Sequence, residues 1–164
     1  MSVNKNLPHI LVLPEDKADS QLANGFHLEI DLTRQRQMQV LPVAGGWIEV
    51  LERFKVDHVI EMERYPKRFM VLLIDFDGRE DRLDKAKEVV PNDLKERVFV
   101  LGVRSEPEGL RKAGLGSPET VGKALAKECR EETDATWGHD LLRHNASELD
   151  RLRKDVRPIL FQST

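Results

Sequence analysis

The chain has 164 residues, 40% of them hydrophobic and 34% charged, with 26 basic against 29 acidic side chains and a net charge of −3. That is apolar material for one domain of ordinary size, and the charge balance excludes the strongly basic surface of a broad, non-specific nucleic-acid binder while leaving room for a local basic groove. The lone Cys129 excludes an internal disulfide framework, and the polar Met-Ser-Val-Asn-Lys-Asn start leads into no long apolar stretch. No segment approaches the ~18 apolar residues of a membrane span, so a cytoplasmic protein with no membrane partner is the expectation.

Residues 1–8 read as a polar lead-in. His9 to Leu13 is a continuous apolar run, the pattern of a strand buried on both faces of a parallel sheet, and it ends in Pro14-Glu15-Asp16. A helix is expected from about Lys17 to Phe26, with Asn24-Gly25 interrupting or ending it. Residues 29–36 are polar and carry no clear period. Gln37 to Val43 reads as the second strand. Gly45-Gly46 then opens a helix in which Trp47, Val50, Leu51 and Phe54 recur at three- and four-residue spacing, and it continues past His58 towards Tyr65, where Pro66 stops it. Phe69 to Ile74 is the third strand, six apolar residues followed by Asp75-Phe76-Asp77-Gly78.

A charged loop leads into a helix over about Asp81 to Val89, and Pro91-Asn92-Asp93 breaks it. Arg97 to Val103 is the fourth strand, leading to Glu106 and Glu108 around Pro107. Ser117-Pro118-Glu119 has the form of a helix start, and that helix runs to about Glu132. Trp137-Gly138 is a connector, and Ser147 is expected to cap a last helix ending before Pro158. The alternation predicts an α/β domain: a four-stranded, mainly parallel sheet flanked by helices over residues 9–104, with a helical carboxyl-terminal extension over 105–164, all in a single domain.

In a parallel sheet the carboxyl ends of the strands share one edge, where open α/β folds bind ligands. Glu15, Asp75, Asp77, Glu106 and Glu108 all fall at that edge. Side chains two apart on a strand point the same way, so Asp75 and Asp77 can converge. Crowded carboxylates repel unless a cation neutralises them, and hard oxygen donors suit Mg²⁺ or Mn²⁺. The competing interpretation is a set of independent surface acids beside a common Asp-Gly turn. Arg79, Arg82 and Arg104 flank the acids and suit either phosphate oxygens or the neighbouring carboxylates. His139 and His144 lack partners at metal-ligand spacing, and Trp47 and Trp137 suit core or interface anchors.

An acid after the first strand, another four residues on, and Asp-x-Asp after a hydrophobic third strand resemble the TOPRIM domain, shared by topoisomerases, bacterial primases, recombination-repair proteins and the overcoming-lysogenization-defect family of nucleases. Glu15, Asp19, Asp75 and Asp77 match its motif positions, and the resemblance covers roughly residues 9–104. Asp16 stands where the family commonly has glycine, and Glu80 where it has another. The resemblance implies metal-assisted phosphodiester chemistry on nucleic acid, DNA before RNA, by a nuclease or a nuclease-like subunit of a larger, defence-type system with a protein partner. Glu15, Asp75 and Asp77 would be the catalytic residues, and Glu15, Asp19, Asp75, Asp77, Glu106 and Glu108 the metal-holding set. Arg79, Arg82 and Arg104 would bind substrate. Tyr65, the only tyrosine, precedes the third strand at the opposite edge, so water is the expected nucleophile.

Two other families share parts of the pattern. Glu15-Asp16 and Asp75 or Asp77 resemble the acidic pair and phosphoacceptor of receiver domains, which need a fifth strand ending in lysine. Asp75 to Gly78 resembles the first motif of haloacid-dehalogenase-like phosphatases, with Arg79 in place of threonine. A non-catalytic regulatory domain that keeps the acidic edge for binding is the remaining alternative.

Overall fold

The computed structural model describes residues 2–105 and 107–162. Four strands, β1 (His9–Pro14), β2 (Met38–Val40), β3 (Arg68–Leu73) and β4 (Val98–Leu101), form an all-parallel sheet in the order β2-β1-β3-β4. Ile10 lies opposite both Met38 and Phe69, and Met70 opposite Val98.

Alternate residues of each strand feed two cores. Ile10, Val12, Val71, Leu73 and Phe99 face a layer made by α1 (Lys17–Glu29), α6 (Pro118–Glu131), α7 (Ala146–Asp155) and α8 (Arg157–Leu160). Leu11, Leu13, Met70, Leu72 and Val100 face α2 (Trp47–Arg53), α3 (Val59–Arg64) and α4 (Glu80–Glu88). One π-helical turn, Phe54–His58, joins α2 to α3, and α5 (Pro107–Lys112) follows β4. The carboxyl-terminal helices therefore cover one face of the sheet.

Several elements depart from the sequence pattern for identifiable reasons. The second strand closes at Val40, three residues before Val43. The chain still follows β1, with Leu41 N–H donating to Val12 O and Ala44 N–H to Pro14 O. The first helix runs through Asn24-Gly25 to Glu29, since Gly25 is there for packing. A Cβ on Gly25 would lie 2.1 Å from the Glu119 carbonyl oxygen, and one on Gly122 would lie 2.0 Å from that of Leu22, so α1 and α6 cross with their backbones in contact. The polar stretch before β2 is a 3₁₀ helix, Leu32–Gln37.

Ser117 caps α6 as expected, its Oγ accepting from Thr120 N–H at 3.2 Å. The last long helix instead starts at Ala146 with Asn145 at its cap position, and Pro158 sits in the first turn of α8. Asn145 and its neighbours one and two turns on are committed to the sheet. Asn145 Oδ1 accepts from Gly102 N–H at 3.2 Å, Glu148 Oε2 accepts from Val100 N–H at 2.8 Å, and Arg151 donates to Val98 O at 3.3 Å. These side chains occupy the outer edge of β4.

Gly122→Ala is expected to force α1 and α6 apart and to lower stability by about 3 kcal/mol, read as a lower urea midpoint at unchanged slope.

Candidate metal centre

The β1–α1 junction and the end of β3 build one acidic site. Glu15 follows β1 directly. Its N–H donates to Leu73 O at 2.9 Å, and its Oε2 accepts from Asp75 N–H at 2.9 Å, so one carboxylate fixes the backbone that presents the other. Asp16 is the N-cap of α1, accepting from Asp19 N–H at 3.0 Å, and this places Asp19 on the first turn, facing β3. One oxygen from each of Glu15, Asp16, Asp19 and Asp75 lies within 4.8 Å of the others.

Glu15, Asp19 and Asp75 are buried, Asp19 completely at 0% exposure, and neither Asp19 oxygen nor Asp75 Oδ1 has a hydrogen-bond partner in the protein. Buried polar atoms are normally paired. Burial, followed by the charge of Asp75, pushes the Asp19 carboxyl up to about 11. Burial, followed by Glu15, pushes Asp75 up to about 8. Four converging hard oxygens with unsatisfied lone pairs fit a divalent cation of the Mg²⁺ or Mn²⁺ type, whose charge would offset both the desolvation and the repulsion.

Asp77 stands apart. The chain continues to bond to the segment after β4, Phe76 N–H to Val103 O and Asp77 N–H to Ser105 O, but the strand itself ends at Leu73. Asp77 adopts the left-handed conformation at φ 51°, so strand alternation no longer aims its side chain. That side chain is 71% exposed and lies 3.7 Å from Arg82. Glu108 is exposed in the first turn of α5, outside the cluster, and Glu106 lies outside the described residues. Asp16 is the member that the sequence pattern did not assign to the site. Its signal was Asp-x-x-Asp at the start of a helix, a cap position that also delivers a carboxylate to the strand end.

Of the three arginines, Arg82 is a brace. It donates to Asp75 O at 2.8 Å, and its guanidinium lies over the Trp47 ring at 5.1 Å. Arg79 forms a two-pronged pair with Asp81 at 2.9 and 3.2 Å on the surface, and Arg104 is exposed just past β4.

His144 donates from Nε2 to Gly102 O at 2.7 Å, and burial lowers its pKa; neither it nor His139 joins the carboxylates. Trp137 is a core anchor, with Nε1 donating to Leu125 O at 3.0 Å, whereas Trp47 packs against the other core as a partly buried ring under Arg82. Cys129 is buried, and burial raises its thiol to about 11. Tyr65 precedes β3 at the opposite rim, its ring against Arg68 and Lys5.

The fold and the site together define a parallel α/β protein with an acidic cluster able to take a divalent metal. No family model matches the chain, nor does any curated protein or solved structure. Among the described residues no helix is long and apolar enough to cross a membrane.

Carboxyls raised above their unfolded value of 3.8 hold protons in the native state that the unfolded chain has already lost. Metal-free stability therefore falls as pH rises above about 4, through the value near 8 at Asp75. The expected outcome in chelator is a melting midpoint lower at about pH 8 than at about pH 5. Asp19→Asn, whose amide can donate to the adjacent carboxylates, should flatten this fall and raise metal-free stability at the alkaline end by about 1–3 kcal/mol.

Proposed function

We propose that the chain is a metal-dependent phosphodiesterase acting on nucleic acid, a nuclease or the nuclease-like part of a larger assembly. One observation carries this reading. The Asp19 carboxylate is wholly buried with both oxygens unpartnered, in a cluster of four acids at the ligand-binding edge of a parallel sheet. Ionised, such an arrangement is costly without a cation, and a cation at this edge is chemistry suited to phosphate esters. The likeness of Glu15, Asp19 and the Asp75-x-Asp77 pair to the TOPRIM motif supports the same reaction class.

In this reading Glu15, Asp16, Asp19 and Asp75 hold the ion, Mg²⁺ or Mn²⁺. The ion supplies charge stabilisation at a phosphoryl oxygen and a water made more acidic. Glu15 keeps Asp75 in place through the Asp75 N–H, and Arg82 holds the Asp75 carbonyl from the other side. Asp77, at the surface beside Arg82, is free to approach a substrate or a second ion. Tyr65 lies at the far rim, which leaves water as the nucleophile. Nucleic acid is the proposed substrate, DNA ahead of RNA, and a protein partner supplies targeting.

The test is cleavage of single-stranded and duplex DNA and RNA with Mg²⁺ or Mn²⁺. Asp75→Asn should reduce the rate about a hundredfold or more while the variant stays folded. Equal behaviour of wild type and variant on every substrate would end the catalytic reading. Metal binding without any cleavage would instead assign the site to a regulatory, binding-only domain.

A further inference from the structure

Beside the acid cluster, beyond the ends of β3 and β4, lies a cleft of about 460 Å³ onto which three arginines from three segments converge: Arg79, Arg104 and Arg143. We infer that this cleft holds the phosphates of a single nucleic-acid strand where the strand runs to the acid cluster. The inference rests on the phosphodiesterase reading and adds to it the form of the substrate and the surface that takes it.

Main-chain bonds tie the floor of the cleft together. Gly78 N–H donates to Arg104 O at 2.6 Å, and Arg104 N–H donates to Leu141 O at 2.9 Å, so the segments bearing the three arginines are fixed relative to one another. Gly78 is held at φ +68° with nothing within 4 Å of where a Cβ would stand, which leaves the approach open. Arg104 makes no ion pair among the described residues. Arg79 and Arg143 pair with Asp81 and Asp140, but all four side chains are well exposed, and pairs of that kind contribute little in water. Phosphate oxygens can take the same guanidiniums in their place.

The cleft is not uniformly basic, because three acids, Glu80 and Asp84 one turn apart on α4 and Asp140 beside Arg143, also line it. A single strand can set its phosphates on the arginines and turn the amino groups of its bases towards carboxylates. A duplex would bring a second phosphate chain against the same acids. The volume is that of a small-ligand pocket, which admits one nucleotide at a time. Two strand spacings separate β1, which leads to Glu15, from β4, which leads to Arg104. That is about 10 Å, or about three nucleotides at the rise of a helical strand. Cleft and cluster can therefore engage one strand together.

The test is fluorescence anisotropy of a labelled single-stranded DNA of about 12 nucleotides, and of the duplex of equal length, in chelator so that nothing is cut. Arg104→Glu and Arg143→Glu, with Arg104→Gln as the milder variant, are compared with wild type after their melting curves show that they fold. The expected result is single-strand binding weakened about tenfold or more, a salt dependence shallower by about one unit per arginine lost, and unchanged Mn²⁺ affinity by titration calorimetry. Unchanged oligonucleotide affinity in the arginine variants, equal affinity for the duplex, or no binding by wild type would each overturn the inference. If wild type binds no Mn²⁺ while arginine-dependent oligonucleotide binding persists, the phosphodiesterase reading fails and the cleft stands.

Discussion

Mutual repulsion among buried carboxylates is the constraint around which this molecule is arranged. Glu15, Asp19 and Asp75, with the half-buried Asp16 beside them, are held closer together, and in drier surroundings, than like charges tolerate in the ionised state. The fold supplies the force that keeps them there. β1 and β3 are adjacent and parallel at the centre of the sheet, with long apolar runs buried on both faces, so their ends cannot separate without opening the core. The helix that carries Asp19 is fixed in its turn by the close crossing of its later turns, at Leu22 to Phe26, with α6.

The surroundings of the cluster are built to hold position. The Glu15 carboxylate grips the Asp75 backbone, Arg82 grips the same residue from α4, and Trp47 at the start of α2 supports the Arg82 guanidinium. The end of β1 and α4 thus bear on one aspartate directly, and α2 through Arg82. Arg82, chemically the equal of Arg79 and Arg104 in the sequence, is separated from them by burial. It braces the site from within, whereas the other two face the cleft at its side.

Much of the architecture is legible in the sequence because the apolar runs at His9–Leu13, Phe69–Ile74 and Val98–Leu101 are continuous, a pattern that buried parallel strands impose. The Ser117 cap and the periodic face of Trp47 to Phe54 are likewise local signals that survive in the fold. What the sequence hides is set by distant contacts. Gly25 looks like a helix stop, and only the position of Glu119 on another helix shows why glycine is needed. Asn145 outcompetes Ser147 because Gly102, just past β4, recruits its side chain. In the site, Glu15 and Asp75 came from their places at strand ends and Asp19 from the TOPRIM resemblance, and the structure groups all three with Asp16. Asp77 departs from them through a left-handed backbone turn that strand alternation does not anticipate, and Asp16 joins them through its cap geometry.

The outer margin of β4 has a consequence for assembly. Parallel sheets with a bare margin invite another chain to dock alongside through main-chain bonds. Here Asn145, Glu148 and Arg151, spaced three apart on one helix, already occupy the amides and carbonyls that a newcomer would need. They act as a surrogate fifth strand made of side chains, and the sheet cannot grow in that direction. Any larger complex containing this protein must therefore form elsewhere than along β4, which leaves the β2 margin, the helices and the loops as its surfaces.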